Sequence, residues 1–462
     1  MVYSTESCDM KFRISNCGLI GLAVFLAMCW CIWGEGCLVT CGLSPDGVSY
    51  LRMAEAAAQG YLFNPNGVSG HSGWFAIWPL GYPWSIALVI KITSLDAFTA
   101  ARVLATLISG GILLLFARCA RPAFPVLALS LLNLSFCGIF RLAYSEQPYI
   151  FVLMLLCFVL SRKDGNRKSV VLAIAGLSVA AFLFRYVGVF AVCWAMAAVY
   201  LAAKLQRRNP SMVRAVAYAS TAVFVFAGGY LMLNYFMCGS FTGGHPPGMA
   251  ESFWSLAGRM LIAMLNETQA LVFAVCWMTA LFFVAGSGMT GGGTARTEQA
   301  DGEGCPDGTV FILFGLLCNG TVVTLRFLMP FDTLGLRLLC PGTTLIVLGL
   351  LLKLRYRLGV DWTEAINAVP MRRILILLVL AAIPASHFQS MENEIRRIMH
   401  LPVEPLHDSY SKIRVHVMER YADVPSGRRF EFPTKYNGVY YWINFLRPDI
   451  VADVPDSPDK GF

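Results

Sequence analysis

Apolar windows recur along this chain at roughly 17–41, 79–93, 98–117, 122–142, 144–161, 169–184, 186–203, 215–235, 261–286, 309–328, 335–352 and 374–388. Most approach the ~20 residues that a helix needs to span the hydrocarbon of a bilayer. They are solid runs rather than polar–apolar alternations, which points to helices and not to a transmembrane barrel. Composition agrees: 57% of the 462 residues are hydrophobic and 14% charged, more apolar surface than a soluble domain of this size can bury. The expected fold is an all-α polytopic membrane protein of roughly 11–12 apolar segments.

Charge sets the expected sidedness. The net charge is +8, and basic residues cluster at Arg162 to Lys168, at Lys204 to Arg208 with Arg214, at Lys353 to Arg357, and at Arg372-Arg373. Short basic loops between apolar segments mark the cytoplasmic side, so the positive balance requires no nucleic acid. Lys11 and Arg13 precede the first window, which reads as a retained anchor rather than a cleaved signal peptide. The 42–77 loop and everything after about residue 389 then face away from the cytoplasm. Several of the fifteen Cys, such as Cys29, Cys31, Cys157 and Cys193, lie inside apolar windows, where Cys behaves as a small hydrophobe. Neither a CxxC pair nor a zinc-like Cys/His spacing is present.

The outer loop opens on Ser44-Pro45-Asp46. Ser before Pro is a helix start, and a helix from Asp46 to Gly60 would lie along the membrane surface. At 100° per residue Tyr50 shares a face with Asp46, while Glu55 points away and can pair with Arg52. His71 stands further along the loop, and Trp78-Pro79-Leu80-Gly81-Tyr82-Pro83 leads into the next window. Three windows separate this loop from the Tyr144-Ser145-Glu146 turn, although both should share one side. One window must therefore fail to cross, and the short 79–93 segment is the expected one. The 287–308 stretch reads as a linker, and residues 389–462 as a small extracytoplasmic cap of α/β or irregular structure after a membrane domain spanning 1–388.

Charged groups interrupting apolar surroundings are functional candidates, because a charge at membrane depth is costly. Glu146, Arg185, and the set Arg326, Asp332 and Arg337 meet that test. Each has a plainer reading. Asp46 could serve a helix N-terminus, Arg185 could reach out to headgroups, Glu146 could pair with Arg141, and Asp332 with Arg326 or Arg337. His71 and His245 read as loop residues. Together, a carboxylate to accept a proton and arginines to grip a phosphate are what sugar transfer from a lipid phosphate requires.

The order of these motifs resembles the GT-C superfamily of polyprenyl-phosphate-sugar-dependent glycosyltransferases, specifically the protein-mannosyltransferase and aminoarabinose-transferase-like members. The features that carry the resemblance are Asp46 and Tyr50 with Ala54-Glu55-Ala56-Ala57-Ala58, the Trp78–Pro83 entry, Ser145-Glu146, Arg185-Tyr186-Val187-Gly188, and Arg337-Leu338-Leu339-Cys340-Pro341. The resemblance implies a GT-C-type bundle with Asp46 as catalytic base and Glu146 in the site. It also implies substrate binding by Tyr50, His71, Arg185, Arg326, Asp332 and Arg337. The donor would be a polyprenyl-phosphate sugar, and the acceptor a lipid, glycan or protein. The setting would be a multi-pass protein of a bacterial inner membrane, with membrane lipids as its other partners. Many relatives carry paired acids where this chain has Asp46-Gly47, which leaves a divalent metal open and unsupported. The competing class is a lipid-linked sugar flippase or other transporter, and a third reading is a non-catalytic scaffold.

Overall fold

A computed structural model describes residues 15–34, 45–63, 74–162, 168–206, 211–243, 253–285, 306, 308–328, 336–377, 429–431 and 451–453. The chain is a polytopic helical membrane protein. Its helices are α1 (Asn16–Trp33), α2 (Pro45–Ala58), α3 (Gly81–Thr93), α4 (Ala97–Cys119), α5 (Phe124–Ser130), α6 (Leu134–Arg141), α7 (Glu146–Leu160), α8 (Lys168–Phe184), α9 (Ala191–Gln206), α10 (Ser211–Cys238), α11 (Phe253–Ala285), α12 (Gly308–Leu328), α13 (Leu336–Leu358) and α14 (Trp362–Asn367). Seven helical stretches among the described residues are long and apolar enough to cross a membrane. Counting the bent pair α5–α6 as one broken span makes eight, and α7 and α8 are shorter apolar helices. Two three-residue strands, β1 (Arg429–Glu431) and β2 (Val451–Asp453), pair in parallel in the C-terminal region. The rest of the expected cap, and nearly all of the 287–308 linker, lie outside the described residues.

Side-chain contacts order the early helices along the bundle. The Trp33 indole donates to Thr106 Oγ1 at 2.9 Å, and Arg102 lies over the Trp33 ring at 5.9 Å. A Cβ on Gly21 would meet the Phe124 ring at 2.7 Å. Thus α4 begins beside the end of α1 and finishes beside its start. It also runs alongside α7, with Phe116 against Phe158 at 6.4 Å, so it travels away from the end that carries Glu146. By contrast α3 starts at Gly81, whose Cβ would lie 2.6 Å from the Leu183 carbonyl. It ends at Ser94, held in the left-handed region at φ 57°, in a tight turn into α4. Both ends of α3 are therefore at the Glu146 end. Its 13 residues also span only about 20 Å at 1.5 Å per residue, short of the ~30 Å hydrocarbon.

The return passage is the broken one. α5 and α6 meet at 75°, where Asn133 accepts from Phe136 N at 3.0 Å and donates to the Ser130 carbonyl at 2.9 Å. A side chain that caps both broken ends keeps the backbone satisfied at membrane depth. The three windows between Asp46 and Glu146 thus make two passages, one down α4 and one back through α5–α6.

Small residues set the tightest later contact. Gly315 and Gly342 face each other's helices, with the Gly315 Cβ position 2.5 Å from the Gly342 carbonyl, and Gly308 and Gly349 repeat the arrangement two turns away. Lipid gives no hydrophobic drive for helix pairing, so close backbone approach through glycine is how α12 and α13 gain their packing. Asn319 meets Thr343 Oγ1 across this contact at 3.1 Å. At the other end of the bundle Asn16 donates to the carbonyls of Ile366 and Val369 at 3.0 and 2.8 Å, which ties the first helix to α14.

Candidate active site at one end of the bundle

Asp46 stands in the first turn of α2 and Tyr50 one turn on. Tyr50 is fully buried, its ring edge-on to Tyr82 at 5.2 Å and its hydroxyl 3.0 Å from Ser145 Oγ. This contact fastens α2 to the turn before α7. After Ala58 the helix closes with Gly60 at φ +103° and a Tyr61 N–H to Ala56 carbonyl bond of 2.9 Å. A positive φ at that place is what glycine allows.

Glu146 is the first residue of α7 and is fully buried. The turn before it is fixed by Gln147, whose amide donates to the carbonyls of Ile139 and Leu142 at 3.1 and 2.6 Å. One side chain therefore caps the end of α6 and starts α7. Arg185 follows α8 in extended backbone (φ −150°, ψ 135°) and precedes a short 3-10 helix, Tyr186–Phe190. Gly188 folds back so closely on the Ala181 carbonyl that a Cβ has no room there. Arg337 enters from the first turn of α13.

These groups meet. Glu146 Oε1 accepts from Arg185 Nη1 and from Arg337 Nε, and Arg337 Nη2 also pairs with Asp46 Oδ2. The Arg337 guanidinium lies over the Tyr144 ring at 4.2 Å, a cation–π contact that fixes its plane. The four charged groups sum to zero. Burial pushes the Asp46 carboxyl above the ordinary aspartate range, and the positive charge of Arg337 opposes it. Burial likewise raises the Tyr50 hydroxyl, so that phenol stays protonated.

Beside this quartet a cavity of about 190 Å³ runs into the bundle. Glu146, Arg185 and Arg337 are the charged groups of its lining, and Val187, Val322, Leu325, Leu338 and Pro341 supply most of the apolar part. A lining that joins guanidinium groups to hydrocarbon suits an amphiphile with an anionic head.

Of the residues singled out from sequence, the structure gathers Asp46, Tyr50, Glu146, Arg185 and Arg337. Arg326 is buried in the last turn of α12. His71, His245 and Asp332 lie outside the described residues. Among the described residues no three His, Cys, Asp or Glu side chains gather as metal ligands. The gap between the two acids of the site is filled by the Arg337 guanidinium.

Sequence reasoning missed Asn234. It accepts from the Trp74 indole at 3.0 Å and donates to Tyr186 Oη at 3.1 Å and the Phe241 carbonyl at 3.0 Å, while Tyr186 donates to the Ala76 carbonyl at 2.7 Å. One buried amide thus joins the segment before α3, α10 and the residue after Arg185. Its signal was available: a lone amide within an apolar run, where an unpaired polar group is costly.

No protein-family model matches the chain, and no curated protein matches it. Among solved structures it is similar to ArnT from Cupriavidus metallidurans in the apo state, with TM-score 0.41 and 12% identity over 93% of this chain and 84% of that one. The same protein bound to undecaprenyl phosphate gives TM-score 0.41 and 11% identity over 94% and 85%. The arabinofuranosyltransferase AftD from Mycobacteria gives TM-score 0.44 and 14% identity, with 96% of this chain spanning 32% of that one.

Proposed function

We propose that the chain is an integral-membrane glycosyltransferase that moves a sugar from a polyprenyl-phosphate carrier to an acceptor hydroxyl. The observation that carries this reading is the double contact of Arg337 with Asp46 and Glu146 beside a mainly apolar cavity that Arg337 and Glu146 help to line. A lipid phosphate has a head for the two arginines and a tail for the apolar wall. Phosphate is held well by guanidinium groups, whose planar forks match its oxygens.

In the reaction, Asp46 takes the proton from the acceptor hydroxyl as its oxygen attacks the anomeric carbon. The bond from that carbon to the phosphate oxygen breaks, and the electron pair leaves on the lipid phosphate. Arg185 and Arg337 stabilise the charge that grows there. A single displacement inverts the anomeric centre. Glu146 holds both guanidinium groups in place. The product is glycosylated acceptor, free lipid phosphate and a protonated Asp46, which returns its proton to water.

The basic residues Arg162, Lys168, Lys204, Arg355 and Arg357 sit at the helix ends remote from Glu146. The positive-inside bias therefore favours a site facing away from the cytoplasm, in keeping with a bacterial inner membrane. The ArnT structure with undecaprenyl phosphate motivates that lipid as first probe. The test is transfer from a radiolabelled polyprenyl-phosphate sugar by purified protein, with the anomeric configuration of the product determined. Inverted product is expected. Movement of the donor across a vesicle bilayer without transfer would favour a transporter, and a retained configuration would remove the single displacement.

A further inference from the structure

The arginine assigned to the donor phosphate already has anionic partners within the chain. Arg337 gives Nε to Glu146 and Nη2 to Asp46, and its face to Tyr144. Two carboxylates and two guanidinium groups leave the cluster neutral. A phosphate arriving on Arg185 and Arg337 adds at least one negative charge to a largely desolvated place, where like charges at close range repel strongly. One anion has to give way.

The two acids are not equally replaceable. Glu146 has no exposed side-chain surface, is held by both arginines, and starts a helix whose first residues are wedged by Gln147. Asp46 has one ionic partner among the described residues, retains 12% side-chain exposure, and sits on α2 at the bundle end. Arg337 keeps 22% exposure, so a ligand can reach it.

We infer that Asp46 is the resident counter-anion of the donor-phosphate site, displaced from Arg337 by the incoming lipid phosphate and thereby released to act as base. This rests on the glycosyltransferase reading and deepens it. Burial favours a proton on Asp46 and the charge of Arg337 opposes it, so release from Arg337 lets the carboxylate accept a proton more readily. Exchange of one anion for another on a single guanidinium would make the base available only when a donor is in place. It would also favour donor binding before acceptor activation.

The consequence is unusual for a catalytic carboxylate: removing it should tighten binding of the phosphate ligand. The experiment measures binding of undecaprenyl phosphate to the full chain in lipid nanodiscs, for wild type, Asp46→Asn and Asp46→Ala. Undecaprenol and inorganic phosphate serve as separate arms. Both variants are expected to bind the lipid phosphate about five- to tenfold more tightly than wild type, the size of one released, partly buried ion pair. Undecaprenol should show no change between proteins, and inorganic phosphate should bind weakly with the same order of affinities. Agreement of the Asn and Ala variants excludes a new amide hydrogen bond as the cause. Equal or weaker binding by both variants overturns the inference while leaving the glycosyltransferase reading intact. Failure of wild type and both variants to bind the lipid phosphate, with transfer also absent, overturns both.

Discussion

Two glutamates are buried in the apolar bundle, and their surroundings differ in kind. Glu146 meets two guanidinium groups and stands beside a cavity. Glu267, on α11, accepts from Ser135 Oγ at 2.9 Å, while Gln269 donates to the same hydroxyl at 2.9 Å. Thr343 is also within hydrogen-bonding reach of Glu267, and no cation faces it among the described residues. Both are acids without exposed surface to speak of, set among apolar side chains. Only one is built into a charged constellation that opens on a space for a ligand. Depth alone therefore nominates a residue; its partners decide whether the group serves chemistry or packing.

That contrast is open to test. The largest effect is expected for Glu146→Gln, which removes the common counter-charge of Arg185 and Arg337. Transfer should fall by about 10²- to 10³-fold. Thermal unfolding should shift by the equivalent of up to about 3 kcal/mol, because two desolvated guanidinium groups lose their partner. Near-normal transfer by this variant would erase the distinction between the two acids. Glu146→Asp keeps the charge and shortens its reach, so it should fall between, with about a tenfold loss in kcat. The smallest effect is expected for Glu267→Gln. Its partners are hydroxyls, which an amide oxygen serves as well as a carboxylate, so transfer should stay within about twofold of wild type. A large loss there would move Glu267 out of packing and into the mechanism.

How far the sequence reaches follows from the same pair. Apolar windows are local and their lengths give the helices, while their number, set against the basic clusters, gives the need for one non-crossing segment. The shortness of the 79–93 window nominates it as the one that fails, but nothing local fixes where its two ends lie. That took the contacts of Trp33 with Thr106 and of Gly81 with Leu183, between residues far apart in the chain. Asp46 and Tyr50 share a face by helical geometry alone, and the structure keeps that face on Ser145. The partners of Glu146 are another matter. Arg185 and Arg337 lie 39 and 191 residues away, and no spacing rule connects them. Glu267 escaped notice because it sits inside a long apolar window that reads as one helix. Asn234 did so for the same reason, although its three hydrogen bonds hold the loop behind Arg185.

The central claim is that Asp46 is the base of the transfer, and the pH dependence of transfer addresses it most directly. Burial raises the Asp46 carboxyl, and a base must be deprotonated to work. Rate should therefore fall as pH drops through a value above the ~3.9 of a free aspartate. The account predicts this acid limb in wild-type kcat/KM, and its disappearance in Asp46→Asn together with a rate loss of about 10²-fold or more. An Asp46→Asn protein that keeps both the rate and the acid limb would contradict it.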